Sequence, residues 1–285
     1  MTKVLVTGAN GQLGRCLRDV AKEFPELYFD FKDSKDLDIT NKSNIEDFFP
    51  SQAYDYCINC AAYTAVDKAE QESDKAFLVN GEAVKYLAYA CNKNEVVFIH
   101  ISTDFVFDGT KKDPYTEEDE PNPISVYGAS KLKGEQYVQE ILDNYFIVRT
   151  SWVYSEYGNN FVKTMLRLAE ERDEINVVGD QIGSPTYAGD LAKFLIFLIN
   201  TKSQKFGTYH YSNDGEISWY DFAIEIFSLA KRSVKVNKIK TRDFKLAALR
   251  PTYSSLSGEK ILNFLNYERI FWKMAIVKVL EGKKL

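Results

Sequence analysis

Three glycines near the N-terminus, Gly8, Gly11 and Gly14, constrain what this chain can fold into more than any other feature. They follow the apolar run Val4-Leu5-Val6-Thr7, which reads as a buried strand, and precede apolar residues at helical spacing over 13–24. A strand that turns into a helix through glycines brings bare backbone close to whatever sits on the turn. The helix adds its first unpaired N–H groups and the positive end of its dipole, a combination suited to a pyrophosphate. Gly8, Asn10, Gly11, Gln12, Leu13 and Gly14 therefore form the candidate phosphate cradle.

The same alternation continues. Strands are predicted over 27–31, 56–60, 96–102 and 146–150, and helices over 44–49, 77–91 and 125–142. Strands this uniformly apolar belong to a parallel sheet covered on both faces. The expected fold class is α/β, a doubly wound parallel sheet of the Rossmann type. Beyond Trp152 the pattern loosens into helices over 161–171, 191–199, 218–230, 257–264 and 270–280 and a short strand over 209–212. The expected organisation is a dinucleotide-binding domain over 1–153 and a smaller α/β C-terminal substrate lobe over 154–285, with some later elements returning to the sheet. Residues 108–123, rich in Pro, Asp, Glu and Lys, read as an exposed loop rather than a domain break.

Composition narrows the partners. A net charge of −5 gives no long-range attraction to nucleic acid or an anionic membrane, so neither is expected as a partner. No stretch approaches the roughly 20 apolar residues of a membrane span. The short N-terminal apolar run ends in a glycine turn and does not read as a signal peptide, which points to a cytoplasmic protein. Cys57 and Cys60 have C-x-x-C spacing, but residues three apart on a strand face opposite ways. With only His100 and His210 besides, no metal site is expected. His100, inside an apolar strand, reads as a satisfied structural histidine.

Asp30, at the end of the second strand, is placed to accept hydrogen bonds from adenine ribose hydroxyls, which favours NADH. Lys32 could instead neutralise a 2′-phosphate, so NADPH and NADH both stay open. Asp38 and Ile39 fall where an adenine contact is expected, and Ala62, Tyr63 and Thr64 end a strand where cofactor should pass. The second strong signal is Tyr127-Gly128-Ala129-Ser130-Lys131. Tyr-x-x-x-Lys also occurs at Tyr28/Lys32 and Tyr89/Lys93, but only Tyr127 opens a helix after a loop, downstream of a strand ending in Ser102-Thr103-Asp104. Reducing a ketone needs hydride on carbon and a proton on oxygen. Tyrosine, with a pKa of about 10, is too weak an acid unless a neighbouring lysine stabilises its phenolate. The Thr103 hydroxyl could polarise the same carbonyl.

Together these stretches resemble the dTDP-4-dehydrorhamnose reductases, a family of extended short-chain dehydrogenase/reductases. The likeness runs through residues 8–14, 59–70, 102–109, 127–131, 149–154, 158–161 and 180–186, and more weakly around Arg250-Pro251. The resemblance implies NADPH- or NADH-dependent reduction of the 4-keto group of dTDP-4-dehydro-L-rhamnose. Tyr127 is then the proton donor, Lys131 its partner, and Thr103 and Asp104 contact the sugar on which Trp152 packs. It also implies that Gly11 to Leu13, Asp30, Asp38, Ile39 and 62–64 line the cofactor. Relatives that dehydrate sugars carry an acid after the Thr-Asp pair; Phe105 stands there, which argues for simple reduction. Some members bridge a dimer with magnesium through acids on the first helix. Arg15 occupies that place, so no metal is expected, and a homodimer stays open. Trp152 also has a plainer reading as a core aromatic at a strand end, and Arg250 could either bind the substrate diphosphate or be a surface arginine before a proline. The alternatives are a non-catalytic NADP-binding regulatory subunit, or a reductase or epimerase for a related nucleotide deoxysugar.

Overall fold

Alternation along the first strand decides how the molecule is layered. In the computed structural model, which describes residues 1–281, Val4 and Val6 face one core and Leu5 faces another. The last four positions of the predicted lobe, 282–285, lie outside the described residues. Six strands form one sheet: β1 (Thr2–Thr7), β2 (Leu27–Lys32), β3 (Tyr56–Asn59), β4 (Val97–Thr103), β5 (Tyr145–Thr150) and β6 (Gly207–His210). All neighbours are parallel, in the order β6-β5-β4-β3-β1-β2. The order reverses beside β1, which opens a crevice above the carboxyl ends of β1 and β3.

Helices α1 (Gln12–Val20) and α4 (Ala188–Asn200) cover one face, with Leu13, Leu17, Leu191 and Leu195 against Val4 and Val6. Helices α2 (Ala83–Lys93) and α3 (Val126–Ile141) cover the other, with Leu87, Cys91 and Val138 against Leu5 and Cys57. Burying Leu17 completely contributes roughly 2 kcal/mol. Both α4 and β6 come from beyond residue 153. Cys57 and Cys60 serve opposite layers, as strand geometry requires, and all four cysteines are free.

The helix expected over 77–91 is interrupted. An α-helical turn, Ser73–Phe77, passes through a π-helical turn, Leu78–Glu82, before α2 begins. That turn carries the buried Asn80, and such bulges recur at functional sites. Helix α3 can lie close to it because Gly134 has no Cβ, which would sit 2.3 Å from Asn80 O.

The second lobe holds a feature absent from the expected elements. Glu174–Val178 pairs in parallel with Lys235–Ile239. Both are mixed in polarity, because only one side of each is covered. Helices Phe161–Glu171, Trp219–Leu229 and Trp272–Glu281 close a third core around Tyr154, Phe222 and Ile276. No helix among the described residues is long and apolar enough to cross a membrane.

Candidate active site

The glycine turn is built by contact with the next strand. Gly8 adopts a φ of +67°, and a Cβ on it would lie 2.5 Å from Ala61 N. A Cβ on Gly14 would lie 2.6 Å from Gly8 O. Gly11 caps α1 in an extended conformation with no side-chain bond, which leaves the first helical N–H groups directed at the turn. Such a bare, glycine-lined helix start fits the pyrophosphate of a dinucleotide. Leu13 is buried in the core beneath. Gln12 faces the second lobe instead: its Oε1 accepts from Ser155 Oγ at 3.0 Å and Asn160 Nδ2 at 2.9 Å.

Two acids stand near the end of β2. Asp30 pairs in register with Leu5 and has both carboxylate oxygens engaged, one with Lys32 Nζ at 3.0 Å and one with the Tyr54 hydroxyl at 2.5 Å. The residue that reaches the glycine turn is Asp33, which accepts from Asn10 Nδ2 at 2.5 Å. Its carboxyl is held below the usual range, chiefly by the Lys35 backbone N–H. As the first acid past the strand end it was visible in the sequence, but Asp30 drew the assignment. Asp38 closes a local turn through Thr40 N and Oγ1, at 2.9 and 2.7 Å, and Ile39 is buried beside it.

The loop carrying Ala62, Tyr63 and Thr64 is partly to fully exposed and is fastened by Asn80. Asn80 accepts from Tyr63 N at 2.8 Å and donates to Tyr63 O and Ser130 Oγ, both at 3.0 Å. One buried amide thus ties the expected cofactor loop to the Tyr127 helix. No sequence signal marked it.

Helix α3 starts from a Ser125 cap that accepts from Gly128 N at 3.1 Å. A Cβ on Gly128 would lie 2.1 Å from Phe105 O, so glycine lets α3 press against the turn that follows β4. That brings the half-buried Tyr127 beside Thr103, its ring edge-on to Phe105 at 5.6 Å. Burial pushes the Tyr127 hydroxyl up to about 12, against a facing Thr103 hydroxyl that lowers it and with the Asp104 carboxylate adding to the rise. Lys131 is 2 % exposed, and burial pushes its amine down to about 8. Its Nζ donates to Ile101 O at 2.6 Å and lies 3.4 Å from His100 Nε2. A buried amine takes the nearest carbonyl, here that of Ile101.

On the substrate side, Asp104 is buried, and its Oδ2 has no hydrogen-bond partner. Burial pushes its carboxyl up to about 6, opposed by hydrogen bonds from Ser254 and Thr103. Trp152 follows β5 with a φ of +47°. One face of its indole is stacked on Trp219, with centroids 3.4 Å apart and planes at 6°. That face is therefore not open to a sugar. Gly183 packs so closely on the same ring that a Cβ would lie 2.6 Å from Cε2. Trp219, at the start of the helix Trp219–Leu229, thus covers one face of Trp152. A groove of about 690 Å³ runs on from it, lined by Phe161, Met165, Gln181, Phe244 and Arg250 among others. Arg250 grips Asp67 with two bonds, at 2.7 and 3.1 Å. Among the described residues, no cluster of three or more His, Cys, Asp or Glu is arranged to hold a metal ion.

These features align with known proteins along the whole chain. The family model described as RmlD substrate binding domain matches residues 1–284. A dTDP-4-dehydrorhamnose reductase from Aggregatibacter actinomycetemcomitans is 42% identical, over 98% of each chain. Among solved structures, a dTDP-4-dehydrorhamnose reductase from Clostridium acetobutylicum matches with a TM-score of 0.96 at 42% identity, covering 100% of both chains. Another from Bacillus anthracis str. Ames, in complex with NADP, matches at 0.95 and 44% identity, covering 99% of this chain and 100% of that one. With the glycine turn, the Thr103–Tyr127 pair and a family match spanning both halves, the chain belongs to the dTDP-4-dehydrorhamnose reductases.

Proposed function

We propose that this chain uses NADPH or NADH to reduce the 4-keto group of dTDP-4-dehydro-L-rhamnose to dTDP-L-rhamnose. The observation that carries this reading is the meeting of Thr103 and Tyr127 at the carboxyl end of β4, with buried Lys131 one turn along α3. A dinucleotide held by its pyrophosphate on the turn formed by Gly8, Gly11 and Gly14 would supply the hydride from its nicotinamide. Tyr127 holds the proton the oxygen needs, and Lys131 one turn along the helix would stabilise the phenolate left behind, offsetting the rise that burial causes. Thr103 orients the carbonyl, and the buried Asp104 beside it offers an unpaired oxygen to a sugar hydroxyl.

Residues 1–153 hold the cofactor on this reading, and the lobe over 154–285 holds the nucleotide and sugar. The Trp152–Trp219 stack and the groove beside Arg250 are the parts that shape the substrate. The same proposal includes cytosolic work and a homodimer. Phe105, where dehydrating relatives carry an acid, favours reduction over elimination.

The test is Tyr127→Phe. Turnover followed by nicotinamide absorbance should fall by about 10²- to 10⁴-fold, with cofactor affinity kept. Turnover within a few-fold of wild type would remove Tyr127 as the acid. Running the assay over several keto-sugar nucleotides, with NADH and NADPH side by side, tests the substrate and the cofactor preference.

A further inference from the structure

Three polar side chains that the reaction does not call for form a row across the sheet that ends at Lys131. Thr7 on β1, Asn59 on β3 and His100 on β4 lie side by side across three adjacent strands, all buried. They are joined in series. Asn59 Oδ1 accepts from the Thr7 hydroxyl at 2.6 Å and from the Ala61 backbone N–H at 3.2 Å. A backbone N–H can only donate, so Ala61 settles which way the Asn59 amide points. Asn59 Nδ2 therefore meets His100 Nδ1 as a donor, at 3.2 Å. Nδ1 must accept, and a neutral imidazole then carries its proton on Nε2. That Nε2 lies 3.4 Å from Lys131 Nζ.

A ring N–H and an ammonium are both donors. The ammonium keeps a strong bond to Ile101 O, but toward His100 it meets a hydrogen rather than a lone pair. A neutral amine would accept that hydrogen. Protonating His100 offers no escape, because burial first and the Lys131 charge second hold its pKa well below the usual value. The remaining groups around the amine are few. Glu135, one turn along α3, favours the charged amine, but it is closed in a bidentate pair with Arg149 of β5. Cys60, just past β3, also favours it, yet burial pushes that thiol up and keeps it neutral. Tyr127, on the same helix, stays a phenol. Burial acts on Lys131 in the same direction as the opposed donor.

We propose that His100 is a positioning residue for Lys131: its N–H, locked by Ala61, Asn59 and Thr7, loosens the amine's hold on its proton, so that cofactor binding draws a proton from solvent onto Lys131. Hydroxyl oxygens of a dinucleotide ribose would drive the change, because hydrogen bonds accepted from the charged amine favour the ammonium. The inference rests on the proposed cofactor site. It also makes Ala61, beside the cofactor loop, the first link of the relay.

Calorimetric titration of NADP⁺ into the full chain, in two buffers of different ionisation enthalpy, counts the protons taken up. Wild type should take up about half a proton per cofactor at pH 8 and almost none at about pH 6.5. Asn59→Asp keeps the shape but turns an acceptor toward His100. The imidazole proton moves to Nδ1, Nε2 offers the ammonium a lone pair, and uptake at pH 8 should vanish. His100→Gln can donate from nearly the place of Nε2 and should retain uptake, a rescue that a packing defect would not show. Uptake unchanged in Asn59→Asp overturns the relay. If that variant does not fold, the wild-type pH series decides alone, and no uptake between about pH 7.5 and 9 overturns it. Failure of wild type to bind NADP⁺ at all would instead overturn the reading of the glycine turn, which keeps the two failures apart.

Discussion

The two halves of the chain shape their ends of the cleft by different means. The sheet half uses backbone: Gly8, Gly11 and Gly14 clear a space that any Cβ would crowd. The lobe uses side chains: Trp152 lies on Trp219, and Arg250 is held by Asp67 across the cleft. A site made of backbone accepts many sequences so long as its empty space is respected. A site made of rings and paired charges can be reshaped by single substitutions.

Gly8→Val should break the backbone end most severely. It sets a Cβ 2.5 Å from Ala61 N on a left-handed residue, where backbone must move. NADP⁺ affinity should fall more than about 100-fold and stability by roughly 3 kcal/mol or more, read by calorimetry and urea unfolding. Near-native affinity would mean that the cradle is not what binds.

Between the two ends, Asp104→Asn should raise stability. The folded carboxyl titrates at about 6 against 3.8 for the free group, so the folded chain keeps a proton that the unfolded chain has lost. That contribution is fully present below about pH 4 and is lost as pH rises through 6. The variant should therefore gain up to roughly 3 kcal/mol at pH 8, and its advantage should disappear toward pH 4. Melting curves at several pH values check this. A flat difference would mean that Asp104 is not strained by burial.

The smallest of the three effects, and the sharpest for the comparison, belongs to Trp219→Ala. Removing the stacked partner should raise KM for the keto-sugar about tenfold while leaving NADP⁺ affinity unchanged. Equal losses in both would erase the distinction between the halves.

The sheet half was legible because β1, β3, β4 and β5 are apolar nearly throughout, and such runs can only be central parallel strands. Thr103 and Tyr127 were legible from what precedes them: a strand end and a helix start. The Glu174–Val178 and Lys235–Ile239 pair was not, because mixed strands at a lobe edge carry little periodicity and their pairing spans about sixty residues. Nor was the Trp152–Trp219 stack, since nothing local tells which aromatic another ring will choose. Asp33 was missed because spacing alone does not show which acid reaches the glycine turn. Asn80 gave no sign, for a buried asparagine is explained only by the loop it holds.

Gln12 stands on the first turn of α1, and its single carbonyl oxygen accepts bonds from both Ser155 and Asn160. Tyr157 adds a bond to Asp19 and lies under Arg15 on the same helix, so the segment after Trp152 is riveted to the start of the dinucleotide fold at several atoms. Whatever freedom the lobe keeps must be compatible with that seam, which places the glycine turn and the segment after Trp152 in one continuous piece.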